Sequence, residues 1–263
     1  MTGLTGKGVH SGLDCTVTLH RTDGPVRFRR NGRLIEVSAA NLAGTERATS
    51  LAAAGEQVSM VEHLLAALHV RGWWSGLTIE ASRPELPVLD GSAAGWLPLL
   101  DELGEPPPPP PAHLPADAIT VRDGIGSATV TPGEPGLHVT VDFDHPAIGR
   151  QTWSGGPEDY GQLLDARTFG FVNDLDNLRQ NGLARGAGLD NCLVYGADAP
   201  LNEPRGALEP VRHKALDLLG DLYLLGRPLA GRVTTGCGSH RLHARLVEGI
   251  RQQAGWGTGF ESH

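Results

Sequence analysis

The 263-residue chain is poor in cysteine, methionine and aromatic side chains. Its three cysteines, Cys15, Cys192 and Cys237, are odd in number, far apart and without a Cys-x-x-Cys pair. That excludes a disulfide framework and a thiolate zinc site, so any metal must be held by histidine and carboxylate. No apolar run approaches the length that spans a bilayer, and the start, Met1-Thr-Gly-Leu-Thr-Gly-Lys7, lacks a signal-peptide core. We therefore expect a cytoplasmic monomer with no transmembrane segment. Basic runs are also missing. With 22 Lys and Arg against 30 Asp and Glu, the formal net charge of −8 argues against nucleic acid as a partner. A small anionic substrate would have to be met by local basic groups.

Glycine and proline, by contrast, are abundant, and six consecutive prolines, Pro106 to Pro111, follow Glu105. A polyproline II segment stays extended and cannot enter a sheet interior, so it reads as a linker over 105–115 between domains 1–104 and 116–263. The first half opens on a Gly-rich stretch, 3–12, which lacks the Lys-Ser/Thr of a phosphate-binding loop and reads as a turn. Strands follow at 15–20, 26–30 and 34–37, the last two around an Asn31-Gly32 hairpin signal. A helix over 59–70 has Ser59 and Glu62 at capping-box spacing. A strand over 76–80 and a turn at 86–93 running into a helix through Leu103 complete this half. The second half repeats the order. Strands at 118–122, 127–131 and 137–145 precede a Gly- and Leu-rich insertion at about 172–190, a strand at 191–195 and a long helix. The pattern predicts an α+β protein of two similar domains, each a β-sheet packed on helices, with the active site at their interface.

That last helix, over 209–226, is framed by Pro210 in its first turn and Gly226 at its end. Most of its surface is apolar, yet at about 100° per residue His213, Asp217 and Asp221 share one narrow wedge, with Lys214 beside it. Two readings remain open from the helix alone: a buried ion-pair network involving Lys214, or an imidazole and a carboxylate one turn apart that bind one cation. His63, near the start of the first-half helix, would complete two histidines and one carboxylate. Three protein ligands leave a position for water, the pattern of catalytic zinc, and the adjoining Glu62 is placed as general base. Ferrous iron is the rival metal, since two histidines and a carboxylate also suit it. A Glu base beside a ligand fits hydrolysis better.

Five stretches, Ser59-Met-Val-Glu-His-Leu-Leu-Ala-Ala-Leu, Leu86-Pro-Val-Leu-Asp-Gly-Ser-Ala, Val141-Asp-Phe-Asp-His-Pro-Ala-Ile, Ala166-Arg-Thr-Phe-Gly-Phe and Val211-Arg-His-Lys-Ala-Leu-Asp-Leu-Leu-Gly-Asp, resemble the UDP-3-O-acyl-N-acetylglucosamine deacetylases. These are zinc amidases of lipid A biosynthesis with two α+β domains of similar topology. The resemblance implies zinc on His63, His213 and Asp217, with Glu62 as base and Thr168 as donor to the oxyanion. It also implies that His240 is the proton donor to the departing amine, oriented by Asp221, and that Lys214 favours anionic groups near the metal. Phe143 matches an aromatic of the nucleotide end, and Phe169, Leu175, Leu178, Leu183 and Leu189 would form a passage for the 3-O-acyl chain. Ordinary core packing is the alternative for some of those leucines.

The chain departs from the family pattern at two places. The family usually begins about half a strand earlier. Around His240 it commonly reads Lys-Ser-Gly-His-x-Leu-Asn, whereas this chain has Cys237-Gly-Ser-His-Arg-Leu-His243. Arg241 or Arg245 is expected to supply the missing charge to the UDP moiety, and His243 to face solvent. The reading is zinc-dependent hydrolysis of the N-acetyl group of UDP-3-O-acyl-N-acetylglucosamine. Its rivals are a deacetylase of a different N-acetyl sugar, and a non-catalytic binder of sugar nucleotides or acyl chains.

Overall fold

The computed structural model describes residues 2–256. Strands β1 (Thr2–Lys7), β2 (Asp14–Pro25), β3 (Arg27–Arg30) and β4 (Arg33–Glu36) are followed by a small sheet, β5 (Leu42–Gly44), β6 (Ser50–Ala53) and β7 (Glu56–Ser59). Then come helix α1 (Glu62–Arg71), strand β8 (Ser75–Ala81) and the short helix α2 (Leu97–Asp101). Beyond the prolines lie β9 (Ile119–Asp123), β10 (Gly126–Pro132), β11 (Gly136–Phe143), β12 (Gly149–Gly155), β13 (Phe169–Phe171), α3 (Val172–Gln180) and β14 (Leu193–Tyr195). The chain closes with α4 (Glu209–Leu222), β15 (Gly231–Gly236) and α5 (His240–Gln253).

The two main sheets have one topology. The first runs β1-β2-β8-β3-β4 and the second β9-β10-β15-β11-β12. In each, a hairpin leads, its second strand pairs antiparallel with the last strand of the unit, and that strand pairs in parallel with the third, which begins another hairpin. Strand residues alternate as the sequence requires: on β2, Cys15, Val17 and Leu19 point to the core while Asp14 and Thr16 face out. The Asn31-Gly32 turn has positive φ at both residues, which matches the right-handed twist of β3 and β4.

A helix precedes the last strand of each unit, α1 before β8 and α4 before β15, and these two helices pack on one another. Apolar residues of both sheets meet them in one continuous core, including Phe28, Ile79, Leu64, Leu68, Leu216, Leu219 and Val233. Helix α4 is apolar over most of its circumference because it is covered on nearly every side. It is followed by a short 3-10 turn over Tyr223–Leu225, and Gly226, with φ of +72°, ends it. The proline segment is tacked down at both ends. Arg21 donates to the carbonyls of Leu103 and Glu105, and His113 exchanges backbone bonds with Pro228 and Ala230.

Candidate active site

Helices α1 and α4 approach so closely at one point that only glycine fits. A Cβ on Gly220 would lie 2.8 Å from the carbonyl carbon of Glu62 and closer still to its oxygen. This contact sets Glu62 and His63, at the start of α1, against the polar wedge of α4. The capping box expected for α1 is not formed. β7 runs on through Ser59, which bonds Pro84 and Leu86, and Met60 at φ of +61° turns the chain into the helix. Val61 occupies the cap position without a side-chain bond, so the Glu62 carboxylate is free to reach elsewhere.

His63, His213 and Asp217 are buried and converge. Asp217 Oδ1 lies 3.9 Å from His63 Nε2 and 3.4 Å from His213 Nε2, and the two rings sit edge to face. Helical spacing supplies the second distance, since His213 and Asp217 are one turn apart. His213 Nδ1 donates to the carbonyl of Ala166 at 3.1 Å, so its Nε2 keeps the lone pair a metal needs. Burial, aided by the neighbouring His213, pushes His63 down to about 3, and burial also lowers His213, so both rings are neutral. For Asp217, burial opposes charge, but Lys214, helped by the protonated His240, outweighs it and holds the carboxyl well below the usual range. Lys214 Nζ bonds Asp217 Oδ2 at 2.8 Å. The ion-pair and metal readings are therefore compatible: one carboxylate oxygen takes the ammonium and the other faces the two imidazoles. Two neutral imidazole nitrogens and one carboxylate oxygen fit a divalent cation, and outer partners already fix His213 and Asp217.

Beside this trio lies a second buried cluster. Asp221, one turn after Asp217, accepts at Oδ2 from His240 Nδ1 (2.8 Å) and from His243 Nδ1 (2.7 Å). Its Oδ1 accepts from the Thr49 hydroxyl (2.5 Å), while the Thr49 backbone N–H donates to Glu62 Oε2 (2.9 Å). Thr49 thus fixes both carboxylates. Glu62 Oε1 is 3.9 Å from His240 Nε2. Burial would strip the proton from His240, but Asp221, helped by Glu62 and Asp217, overturns that and raises it to about 9. Burial chiefly pushes Glu62 up to about 7, with His240 pulling the other way. Environment separates the two groups, a protonated imidazole beside the more readily deprotonated carboxyl.

Both clusters open on a cavity of about 660 Å³. Thr168 lines it, held in place by its N–H on the Gly91 carbonyl and its own carbonyl on the Leu193 N–H. The wall beyond is apolar and includes Phe143, Phe169, Leu175, Leu178, Ala184, Leu189 and Val194. Phe143 packs edge to face on Phe169, with ring centres 5.3 Å apart. A buried pair, Arg167 and Glu209, braces the segment that carries Ala166 and Thr168 against the start of α4.

A family model described as UDP-3-O-acyl N-acetylglycosamine deacetylase matches residues 1–252. The chain belongs to that family. It is 40% identical over 261 residues to the UDP-3-O-acyl-N-acetylglucosamine deacetylase of Thermosynechococcus vestitus, covering 95% of this chain and 91% of that protein. Proteins of the same name from Helicobacter pylori J99 (36% identical, 95% and 89% covered) and Myxococcus xanthus (38%, 94% and 83%) are similar too.

Within this deacetylase chain, several sequence expectations need correction. His243 does not face solvent. Helix α5 begins just after Ser239, whose side chain caps it, and this sets His240 and His243, three residues apart, on the buried face toward Asp221. Arg241 and Arg245 do not turn to the cavity; both pair with Asp123, at 2.6 and 3.2 Å. Leu183 lies in an adjoining cleft with His10, Arg47 and Leu178, and Ala184 takes its place on the main wall. Thr49 was not foreseen, because a threonine in a polar loop has no local signal of its role. The Arg167–Glu209 pair escaped for the same reason, with 42 residues between its members.

Proposed function

We propose that the chain hydrolyses the acetamide of UDP-3-O-acyl-N-acetylglucosamine to acetate and a free amine in lipid A biosynthesis. His63, His213 and Asp217 hold the metal, which we assign as zinc. Units 1–104 and 116–263, joined by the 105–115 linker, each contribute one of the two helices that meet at this site, so a single chain suffices. Three free thiols suit a reducing cytoplasm. Among the described residues no helix is long and apolar enough to cross a membrane.

A divalent cation at this site supplies Lewis acidity to the carbonyl and acidifies a water molecule. Glu62, anchored by the Thr49 N–H, takes the proton of the water that adds to the acetamide carbon. The Thr168 hydroxyl donates to the oxyanion as it forms. His240, protonated at neutral pH, gives its proton to the sugar nitrogen as the C–N bond breaks, and Asp221 stabilises and aims the imidazolium. Lys214 neutralises the second oxygen of Asp217 and adds positive charge near the reacting centre. Phe143 is assigned to the nucleotide side, and Phe169, Leu175 and Leu178 to the acyl chain.

The observation that carries this reading is the approach of Glu62 Oε1 and His240 Nε2 to 3.9 Å on one cavity with the three ligand atoms. Binding alone needs neither an acid nor a base there. The test is acetate release from UDP-3-O-acyl-N-acetylglucosamine and from UDP-N-acetylglucosamine, with and without a chelator. Turnover of the acylated compound that chelation abolishes and zinc restores is expected. No turnover, or turnover indifferent to the chelator, overturns the proposal.

A further inference from the structure

The chemistry above makes no use of Glu85, a buried carboxylate just beyond β8. Its oxygens meet two consecutive backbone amides. His10 N–H donates to Oε1 at 2.7 Å and Ser11 N–H to Oε2 at 2.8 Å. The loop it grips closes on itself through Gly8 N–H to the Leu13 carbonyl and Gly12 N–H to the Gly8 carbonyl, each 3.0 Å. A Cβ on Gly8 would sit 2.6 Å from Glu85 Cδ, so a side chain there would push the carboxylate off the loop. A carboxylate spent on two amides is a strong local clamp, since charged acceptors bind N–H groups about twice as tightly as neutral ones.

The far side of the loop is bonded to the insertion. Arg185 N–H donates to the His10 carbonyl (3.1 Å) and Gly186 N–H to the Val9 carbonyl (3.0 Å). Here too the backbones touch: a Cβ on Gly186 would lie 3.1 Å from Gly12 Cα and 3.3 Å from the Gly8 carbonyl carbon. Val9 and His10 line the cavity beside Ala184 and Ala187. One wall is therefore joined from two segments some 175 residues apart, and Glu85 holds the inner of them. The residues on either side of it are bound to Ser59, three residues before Glu62: Leu86 N–H donates to the Ser59 carbonyl and Ser59 N–H to the Pro84 carbonyl.

We infer that Glu85 is a positioning residue for acyl-chain recognition: by clamping loop 8–12 it holds the insertion in the register that forms the passage wall, and so sets the preference for acylated over des-acyl substrate. The inference rests on the proposed acyl-passage reading. Two variants test it from opposite sides, Glu85→Ala, which frees the loop, and Gly186→Ala, which forces the insertion off it with Glu85 intact. Each is measured for kcat/KM on the acylated and des-acyl sugar nucleotides, and for hydrogen exchange at the amides of Arg185 and Gly186.

In both variants the acyl preference should fall on the order of 10- to 100-fold, the size of effect that misplacing a binding wall by an ångström produces. Hydrolysis of the des-acyl compound should stay unchanged, as should exchange protection in α1 and α4. Protection at Arg185 and Gly186 should drop in Glu85→Ala. A parallel loss on both substrates would mean that Glu85 serves the framework at large, and would overturn the inference. So would an unchanged acyl preference, or wild-type protection at the two amides. The exchange measurement needs no substrate, so it decides whether the clamp exists even where the wild-type chain proves inactive, an outcome that would instead sink the proposed activity.

Discussion

Replacing Gly220 by alanine should damage the enzyme even though alanine is the better helix former. In an exposed helix interior the change gains about 0.5–1 kcal/mol. Here the new methyl would lie within 3.0 Å of three backbone atoms of Glu62, its oxygen, carbon and Cα. Backbone in a packed helix cannot swing aside as a side chain does, so α1 and α4 must part by about 1 Å to reach ordinary contact. Overpacking of this kind costs about 1–3 kcal/mol, and the propensity gain offsets only part of it. The net cost is about 0.5–2 kcal/mol, and at about 2–4 °C per kcal/mol for a chain of this size the melting temperature should fall by roughly 1–8 °C.

The functional loss should be larger than the loss of stability. His63 comes from α1, while His213 and Asp217 come from α4, with their ligand atoms all within 4.8 Å of one another. Metal–ligand distances tolerate about 0.2 Å, so a shift of about 1 Å should lower metal content after dialysis and cut kcat/KM on the order of 100-fold. The assays are elemental analysis, acetate release and thermal unfolding. Gly249→Ala is the control, since its Cβ would be 3.1 Å from Ile119 Cγ2, a side-chain atom that can yield. A Gly220→Ala protein with wild-type metal content, turnover and melting temperature would refute the reasoning.

Two further changes probe the acid and the base. Glu62→Gln keeps an oxygen for the Thr49 N–H and should retain metal by elemental analysis, yet kcat should fall about 10²- to 10⁴-fold; near-normal turnover would remove Glu62 as the base. His240 is raised to about 9 in the fold, so its imidazolium stabilises the fold fully below the unfolded value of 6.5, and that contribution is lost as pH rises through about 9. The activity of the wild-type chain should fall over the same upper range. Asp221→Asn removes the main influence raising His240 and leaves only Glu62 and Asp217 to oppose burial, so the alkaline limb of kcat/KM should move to lower pH; a limb that stays in place would show that another group titrates there.

How much of this was legible beforehand can be judged from particular residues. The wedge of His213, Asp217 and Asp221 follows from helical geometry alone, because residues four apart must share a face. Likewise strand alternation and the Asn31-Gly32 turn are local, and the repeated order of elements already pointed to two like sheets. What Lys214 does was ambiguous in sequence, since an ammonium three residues before a carboxylate serves an ion pair and a metal site alike. Resolving it took the knowledge that Asp217 turns one oxygen to each.

Contacts between distant segments were beyond the sequence. Thr49 meets Asp221 across 172 positions, and Glu85 meets His10 across 75. No periodicity encodes such pairs, since each depends on how two finished elements pack. The same holds for His243, whose exposure was misjudged because helix α5 alone does not say which face α4 covers. Sequence by itself determined the residue types able to do the chemistry and the helix that aligns half of them. Tertiary structure decided their meeting, through one glycine contact between α1 and α4, because a hydrolytic site needs groups a few ångströms apart that the chain keeps some 150 residues apart.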